Sequence, residues 1–507
     1  MLEQFIKNRI IAQLPFEANK GQLELLDKLS QFIVSPTPRK AFILRGYAGT
    51  GKTSIMAALV HAMRELKQRI VLLAPTGRAA KVLSKYAQTP AYTIHKYIYR
   101  ARSKSALVGE RGDEAMRRET KGERQAFSLR DNLHKNTLFI IDEASMISGL
   151  RDNPIFGSGM LLEDLVRYVY GGEGCSMLVL GDDAQLPPVG ANQSPSLSSE
   201  YMTGYQLHVQ SHVLTEVARQ ASDSGILENA TRLRPLALGC ASAPSLEDGI
   251  KRLQNATLQF RGKEDFWDML EFGEDVQTVS GADLLEVLEQ SYNEVGAEET
   301  ILLTRTNKRT NIYNQGIRAR ILWREDEIGS GDRLMVCKNN YFWTEKYEDL
   351  PFLANGDMLE VVRLRNEREM YGYHFVDAQL RSLDYDWEID VVLWIDTMHS
   401  DNPEANQKMQ KDLFGKIAED YPELQNSRKK LIETIYQSPY YNALQVRMAY
   451  AITGHKSQGG QWQRVFIDPN IGGERREVKG NEARDFYRWL YTAITRATKK
   501  VYFIKNK

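Results

Sequence analysis

The run Gly46-Tyr47-Ala48-Gly49-Thr50-Gly51-Lys52-Thr53 fits the spacing G-x-x-x-x-G-K-[ST]. Glycines there let consecutive backbone N–H groups wrap a β-phosphate at a helix N-terminus, the lysine reaches the β- and γ-phosphates, and the following hydroxyl ligates Mg²⁺. Gly46, Gly49, Thr50, Gly51, Lys52, Thr53 and Ser54 are therefore the candidate nucleotide cradle. Asp142-Glu143 follows the apolar run TLFII, where an aspartate can hold Mg²⁺ and a glutamate can polarise an attacking water. Alone, such a pair is a common loop feature; beside a phosphate loop it points to hydrolysis rather than transfer to a small acceptor. Gln185, in GDDAQLPPVG, offers a neutral amide that can sense a γ-phosphate from a stiff Pro-Pro turn. Arg219 in LTEVARQ and Arg496 in YTAITRA can bring positive charge to a transferring phosphoryl group, although each, taken singly, also reads as a surface ion-pair partner. A second stretch, AITGHKSQGGQW, has glycines, hydroxyls and a lysine but lacks the cradle spacing.

A phosphate cradle needs a strand before it and a helix after it, and AFILRGYAGTGKTSIMAALVHAM supplies both. RIVLLAPTG, TLFIIDEAS and SMLVLGDDAQ are apolar runs of strand length ending in small or polar residues. Such runs suit strands buried on both faces of a parallel sheet, and open α/β sheets bind ligands at the C-terminal strand ends. The segment Arg100–Lys135 interrupts this pattern with ten Lys/Arg against six Asp/Glu, and reads as a surface insertion, a hairpin pairing SALVG with AFSLR. TILLTRTN, RVFIDP and KVYFIKN imply a second α/β unit. Between its first two runs, DRLMVCKNNYFW, NGDMLEVVRLR, YGYHFVDAQLR and DVVLWID alternate like antiparallel strands, followed by a charged helical stretch from about Pro403 to Tyr436.

With 507 residues the chain exceeds one hydrophobic core. It has 42% apolar and 26% charged residues, as in ordinary globular proteins, and zero formal net charge, so a nucleic-acid site would be a local groove. Three cysteines, Cys175, Cys240 and Cys337, fit neither a disulfide framework nor a zinc site. Neither a signal segment nor a membrane-length apolar run is present, so an intracellular, cytoplasmic protein without a membrane partner is expected.

The ordered set GYAGTGKT, APTGRAAKVL, TIHKYIY, IIDEAS, GDDAQLPPVG, LTEVARQ, TGHKSQGGQW and YTAITRA resembles the superfamily 1 DNA helicases of the RecD-like and Dda-like branch over nearly the whole chain. The resemblance implies an α/β fold of two RecA-like P-loop NTPase lobes. A β-hairpin pin is inserted in the first, and an SH3-like β-barrel with a helical arm in the second. The boundaries expected are 1–98 and 137–210 for the first lobe with the pin at 99–136, and 211–328 and 450–507 for the second lobe with the barrel and arm at 329–449. The implied activity is ATP- and Mg²⁺-dependent translocation on single-stranded DNA, 5′ to 3′, with unwinding of duplex forks. The reading from another class is a non-unwinding ATPase switch subunit of a repair or recombination complex. A monomer is expected, with single-strand-binding or replication and repair proteins as partners.

Carried onto this sequence, the resemblance assigns Lys52, Thr53, Asp142, Glu143, Gln185, Arg219 and Arg496 to the ATPase. It makes Gln22 an adenine reader, with a surface glutamine the alternative because FEANKGQ departs from the usual acidic sequence. Gly459 approaches the nucleotide. For DNA it points to Pro75, Thr76, Arg78, Thr93, His95, Val189, Asn307, Thr453, His455, Lys456 and Ser457. Phe127 is the pin residue expected to stack on a base at the fork, or else to pack inside the hairpin. Tyr341, Phe342 and Trp343 read as barrel core rather than a DNA platform. The 451–462 loop would face DNA at one end and nucleotide at the other, so that hydrolysis alters grip.

Overall fold

A computed structural model describes residues 2–101, 127–151, 156–217, 224–239, 267–347, 350, 352–400, 403–424, 426–470 and 481–505. The chain divides into two compact units, the first Met1–Gln277, Gln458–Gln461 and Ile471–Val501, the second Thr278–Ser457, Trp462–Asn470 and Tyr502–Lys507.

In the first unit the strands are β1 (Lys40–Gly46), β2 (Arg69–Ala74), β3 (Ala91–Thr93), β4 (Tyr99–Ala101), β5 (Phe127–Leu129), β6 (Thr137–Ile141), β7 (Ser176–Gly181) and β8 (His208–Leu214). Six of them form a sheet of order β3-β2-β6-β7-β1-β8, each neighbouring pair parallel. TLFII and SMLVLG are buried throughout their lengths, which is why they carry no polar alternation. Parallel pairing forces crossovers; the one after β2 begins with a side-chain cap, Thr76 Oγ1 accepting the Ala79 N–H at 3.2 Å to start the helix Gly77–Ala87. Leu44, Ile55, Leu59, Leu72, Ile140 and Leu178 share one core.

β4 and β5 pair antiparallel, with Ala101 opposite Phe127. AFSLR thus pairs with Tyr99–Ala101 and forms the base of the insertion; its expected partner, SALVG, lies outside the described residues.

The remaining strands are β9 (Val276–Ser280), β10 (Thr300–Thr304), β11 (Arg333–Val336), β12 (Met358–Met370), β13 (Tyr373–Ser382), β14 (Glu388–Trp394), β15 (Val446–Met448), β16 (Ala451–Thr453), β17 (Trp462–Ile467) and β18 (Ala497–Lys505); β10 to β17 belong to the second unit, and the division between units falls within β9 and β18. One sheet has order β16-β10-β17-β18-β9; the other, β14-β13-β12-β11-β15, is antiparallel at every step. Its edges meet, because Leu393 of β14 bridges Leu444, two residues before β15. The helices Pro403–Glu419 and Arg428–Tyr436 place Leu413, Ile417 and Ile435 against Phe375 and Trp394, so the charged stretch is docked on one face rather than solvated all round. Trp343 Nε1 donates to Asn442 O at 2.9 Å, and Tyr341 and Phe352 pack with ring centroids 5.4 Å apart.

The helix Asn481–Ile494 belongs to the first unit, where Arg488 Nε donates to Ala237 O at 3.0 Å on the helix Gly225–Leu238. Cys175 is buried and Cys337 half-buried, both as free thiols; Cys240 lies outside the described residues. Among the described residues no helix is long and apolar enough to cross a membrane.

Candidate nucleotide and nucleic-acid sites

The phosphate loop leaves β1 at Gly46 and enters the helix Lys52–Glu65 through Gly51, which has φ +84°. Gly49 has φ +73°, and a Cβ there would come within 2.8 Å of Leu227 Cδ1, so both conformation and space require glycine. Lys52 Nζ donates to Gly46 O and, at 2.9 Å, to Tyr47 O. Thr50 is fully buried, its hydroxyl donating to Tyr47 O at 2.8 Å and its backbone N–H to the same oxygen at 3.3 Å. Thr53 and Ser54, in the first helical turn, are partly exposed.

Gln22 reaches this loop: its Nε2 donates to Thr50 O at 3.0 Å and its Oε1 accepts the Asn19 N–H at 3.0 Å. It closes a capping box with Asn19 at the start of the helix Lys20–Val34 and is 1% exposed, which rules out the surface-glutamine reading. Each amide atom keeps capacity for one more hydrogen bond.

Asp142 and Glu143 follow β6. Glu143 adopts φ +49°, a left-handed backbone uncommon for a non-glycine residue, which turns its side chain away from the strand direction. Burial first, and then the Glu143 carboxylate, push the Asp142 carboxyl up to about 6, while the Glu143 N–H and Lys52 act against the shift. Two crowded carboxylates with one lysine suit an added cation. No group of three or more His, Cys, Asp or Glu among the described residues could hold a metal by itself. The donors present therefore fit Mg²⁺ held by Thr53 and Asp142 together with phosphate oxygens. Arg496 is 4% exposed and points its Nη1 to within 3.8 Å of Glu143 Oε1. Its guanidinium is fixed by Thr492 O at 3.0 Å, Gly460 O at 3.3 Å and Thr495 Oγ1 at 3.2 Å. Arg219 lies outside the described residues.

Gln185 follows β7 and is 7% exposed, with its Oε1 buried and lacking a protein hydrogen-bond partner. Asp182, at the start of the same loop, is pushed up to about 6, chiefly by burial; Lys52 and the Tyr491 hydroxyl oppose the shift.

The nucleic-acid candidates divide between the units. In the first, Pro75, Thr76 and Arg78 sit partly exposed just beyond β2, Thr93 is partly exposed at the end of β3, and Val189 is 79% exposed. Arg78 Nη2 donates to Gln461 O at 3.3 Å. His95 lies 4.9 Å from the Phe156 ring, and desolvation pushes it down to about 4, which favours the neutral imidazole. Phe127 is 2% exposed and stacks on Phe156 with centroids 4.8 Å apart. It packs the hairpin base, and the expectation that it stacks on a base at the fork is corrected, because no face is open. Gly459 lies against the start of the helix Gly77–Ala87, where a Cβ would meet Ala79 Cβ at 2.6 Å, between Gln458, whose Nε2 donates to Leu186 O, and Gly460, whose carbonyl accepts from Arg496.

In the second unit Asn307 opens the helix Asn307–Arg320, Thr453 ends β16, and His455 and Lys456 are exposed on the turn Gly454–Ser457. Lys456 Nζ donates to Asn355 Oδ1 at 2.6 Å. Ser457 is fully buried with its hydroxyl on Gly454 O at 2.8 Å, so it shapes the turn and is corrected as a phosphate contact.

Sequence reasoning missed Tyr47, Tyr491 and Arg234. The Arg234 guanidinium lies 4.5 Å from the Tyr47 ring centroid, and the Tyr491 hydroxyl binds both Ala48 and Asp182. Tyr487 and Tyr491, four apart on a helix and both buried, carried the only available signal: a polar tip inside a core needs a partner.

Residues 17–236 match the family model described as an AAA domain, and 448–504 that of the UvrD-like helicase C-terminal domain. An uncharacterized protein of Acanthamoeba polyphaga mimivirus is 26% identical, over 96% of this chain and 99% of its own. The ATP-dependent DNA helicase dda of Enterobacteria phage T4 is 24% identical over 84% of this chain and 86% of its own. A solved structure of Pif1 helicases at forked duplex DNA matches with TM-score 0.45 and 14% identity, covering 96% of this chain and 92% of that one.

Proposed function

We propose that this chain, a superfamily 1 DNA helicase of the Dda-like branch, couples ATP hydrolysis in its first unit to 5′-to-3′ movement on single-stranded DNA and to opening of duplex forks. The observation that supports the reading is that the Asp142 and Asp182 carboxyls both feel Lys52, that Arg496 lies 3.8 Å from Glu143, and that Gln185 follows Asp182 in the same short loop.

In this reading the ATP phosphates lie against the amides of Gly49–Thr53, and Lys52 exchanges the Gly46 and Tyr47 carbonyls for β- and γ-phosphate oxygens. Glu143 takes the proton of the attacking water, and the unpartnered Gln185 Oε1 accepts its second hydrogen, which holds the water in line. Arg496 faces the charge that develops on the transferring group. Mg²⁺, when bound through Thr53 and Asp142, neutralises charge between the β- and γ-phosphates.

DNA is gripped without base reading by Pro75, Thr76, Arg78, Thr93 and Val189 of the first unit, and by Asn307, Thr453, His455 and Lys456 of the second. Support comes from their location at the C-terminal ends of parallel strands, where hydroxyls, amides and helix N-termini collect. The 99–136 insertion acts as the pin and the β11–β15 sheet as the SH3-like module.

Purified full-length protein tests this on a 5′-tailed duplex. ATP-dependent strand separation is expected, and Lys52→Ala should abolish both hydrolysis and separation while retaining some DNA binding. Undiminished turnover in Lys52→Ala would put the active site elsewhere.

A further inference from the structure

Tyr491, on the helix Asn481–Ile494, is 1% exposed, and its hydroxyl serves two partners. It accepts the N–H of Ala48, the third residue of the phosphate loop, at 2.8 Å, and donates to Asp182 Oδ2 at 2.7 Å. The next residue, Thr492, accepts the Leu186 N–H on its hydroxyl at 3.0 Å, while Gln458 Nε2 donates to Leu186 O at 2.7 Å. The segment Asp182–Leu186 is therefore held at both ends by side chains from the C-terminal part of the sequence. Between those ends sits Gln185, with its buried Oε1 unpartnered. The Thr492 carbonyl also accepts from Arg496 Nε at 3.0 Å, so one helical turn fixes the amide and the arginine together.

We propose that Tyr491 is a positioning residue for the terminal phosphate: its hydroxyl ties the phosphate loop to the Asp182–Leu186 segment and so aims Gln185 at the γ-phosphate. The inference rests on the nucleotide site proposed above. Asp182 has a second anchor, the Ala184 N–H on Oδ1 at 3.0 Å, so the carboxylate stays in place without the tyrosine but loses its link to Ala48. A phenylalanine would keep the ring and its packing while cutting both hydroxyl bonds. ADP has no γ-phosphate for Gln185 to meet, so the loss should be selective for the triphosphate.

The test uses the full chain as Tyr491→Phe, Thr492→Val, Gln185→Ala and the doubles Tyr491→Phe/Gln185→Ala and Thr492→Val/Gln185→Ala. DNA-stimulated kcat and KM are measured, with competition binding of ADP and of a non-hydrolysable ATP analogue. Tyr491→Phe should lower kcat about tenfold, since a small misplacement of a catalytic amide is enough for that. Its ADP affinity should stay within about twofold, its preference for the ATP analogue over ADP should fall, and the double should be no worse than Gln185→Ala by more than about twofold. Thr492→Val should behave alike, and it carries the comparison if Tyr491→Phe does not fold. Parental kcat in the variants, multiplying losses in the doubles, or equal weakening of ADP and the analogue would overturn the proposal. Failure of the underlying site would appear separately, as turnover in Lys52→Ala.

Discussion

Replacing Asp182 by Asn should change the pH dependence of stability by a calculable amount. Asp182 is 1% exposed, and its carboxyl rises from 3.8 to about 6, with burial the largest cause. A shift of that size corresponds to about 3 kcal/mol of preference for the protonated form in the folded state. The folded value lies above the unfolded one, so the contribution is stabilising at low pH and is lost as pH rises through the window from 3.8 to about 6. Asparagine does not titrate. The unfolding free energy of Asp182→Asn relative to the parent should therefore grow by about 1.4 kcal/mol between roughly pH 5 and pH 7.5. Any constant cost of the substitution, such as a changed hydrogen bond to Tyr491, cancels in that difference. Urea unfolding followed by circular dichroism at the two pH values measures it. An identical stability difference at both would refute the claim that Asp182 is held as a desolvated carboxylate.

Other perturbations separate the roles argued above. Gly49→Ala forces a Cβ onto Leu227 at φ +73°, and equilibrium binding should show at least about tenfold weaker nucleotide affinity with the fold retained. Phe127→Ala empties a site that is 2% exposed, so a denaturation curve should lose about 3 kcal/mol. An unchanged curve with a selective loss of unwinding would instead return Phe127 to the fork. Lys456→Ala should weaken DNA stimulation of the ATPase by several-fold and spare basal turnover, with Asn355→Ala giving a smaller loss in the same direction; equal stimulation in all three proteins would remove Lys456 from the DNA path.

The nucleotide site was legible where chemistry fixes spacing. The phosphate loop, Asp142-Glu143 and Gln185 each follow an apolar run too continuous for a half-exposed strand, and those runs became β1, β6 and β7 of a parallel sheet. Local periodicity could not show which distant segments meet. Tyr491 binds Ala48 across 443 positions of sequence, and Asn355 binds Lys456 across 101. Exposure was equally hidden: Phe127 and Ser457 have residue types suited to a base and a phosphate, yet both are spent on internal contacts. His95 retains a ring that could donate a hydrogen bond, but desolvation, which the residue type does not reveal, favours its neutral form. Asn19 and Gln22 close a capping box that tethers Gln22 beside Thr50, so a glutamine whose type suits the surface is buried at the phosphate loop.

The central claim is directional ATP-driven unwinding, and the most direct measurement compares duplexes carrying a 5′ or a 3′ single-stranded tail under single-turnover conditions with the purified chain. The account predicts ATP-dependent strand separation of the 5′-tailed duplex and little of the 3′-tailed one. Preferential opening of the 3′-tailed duplex, or of neither, would contradict it.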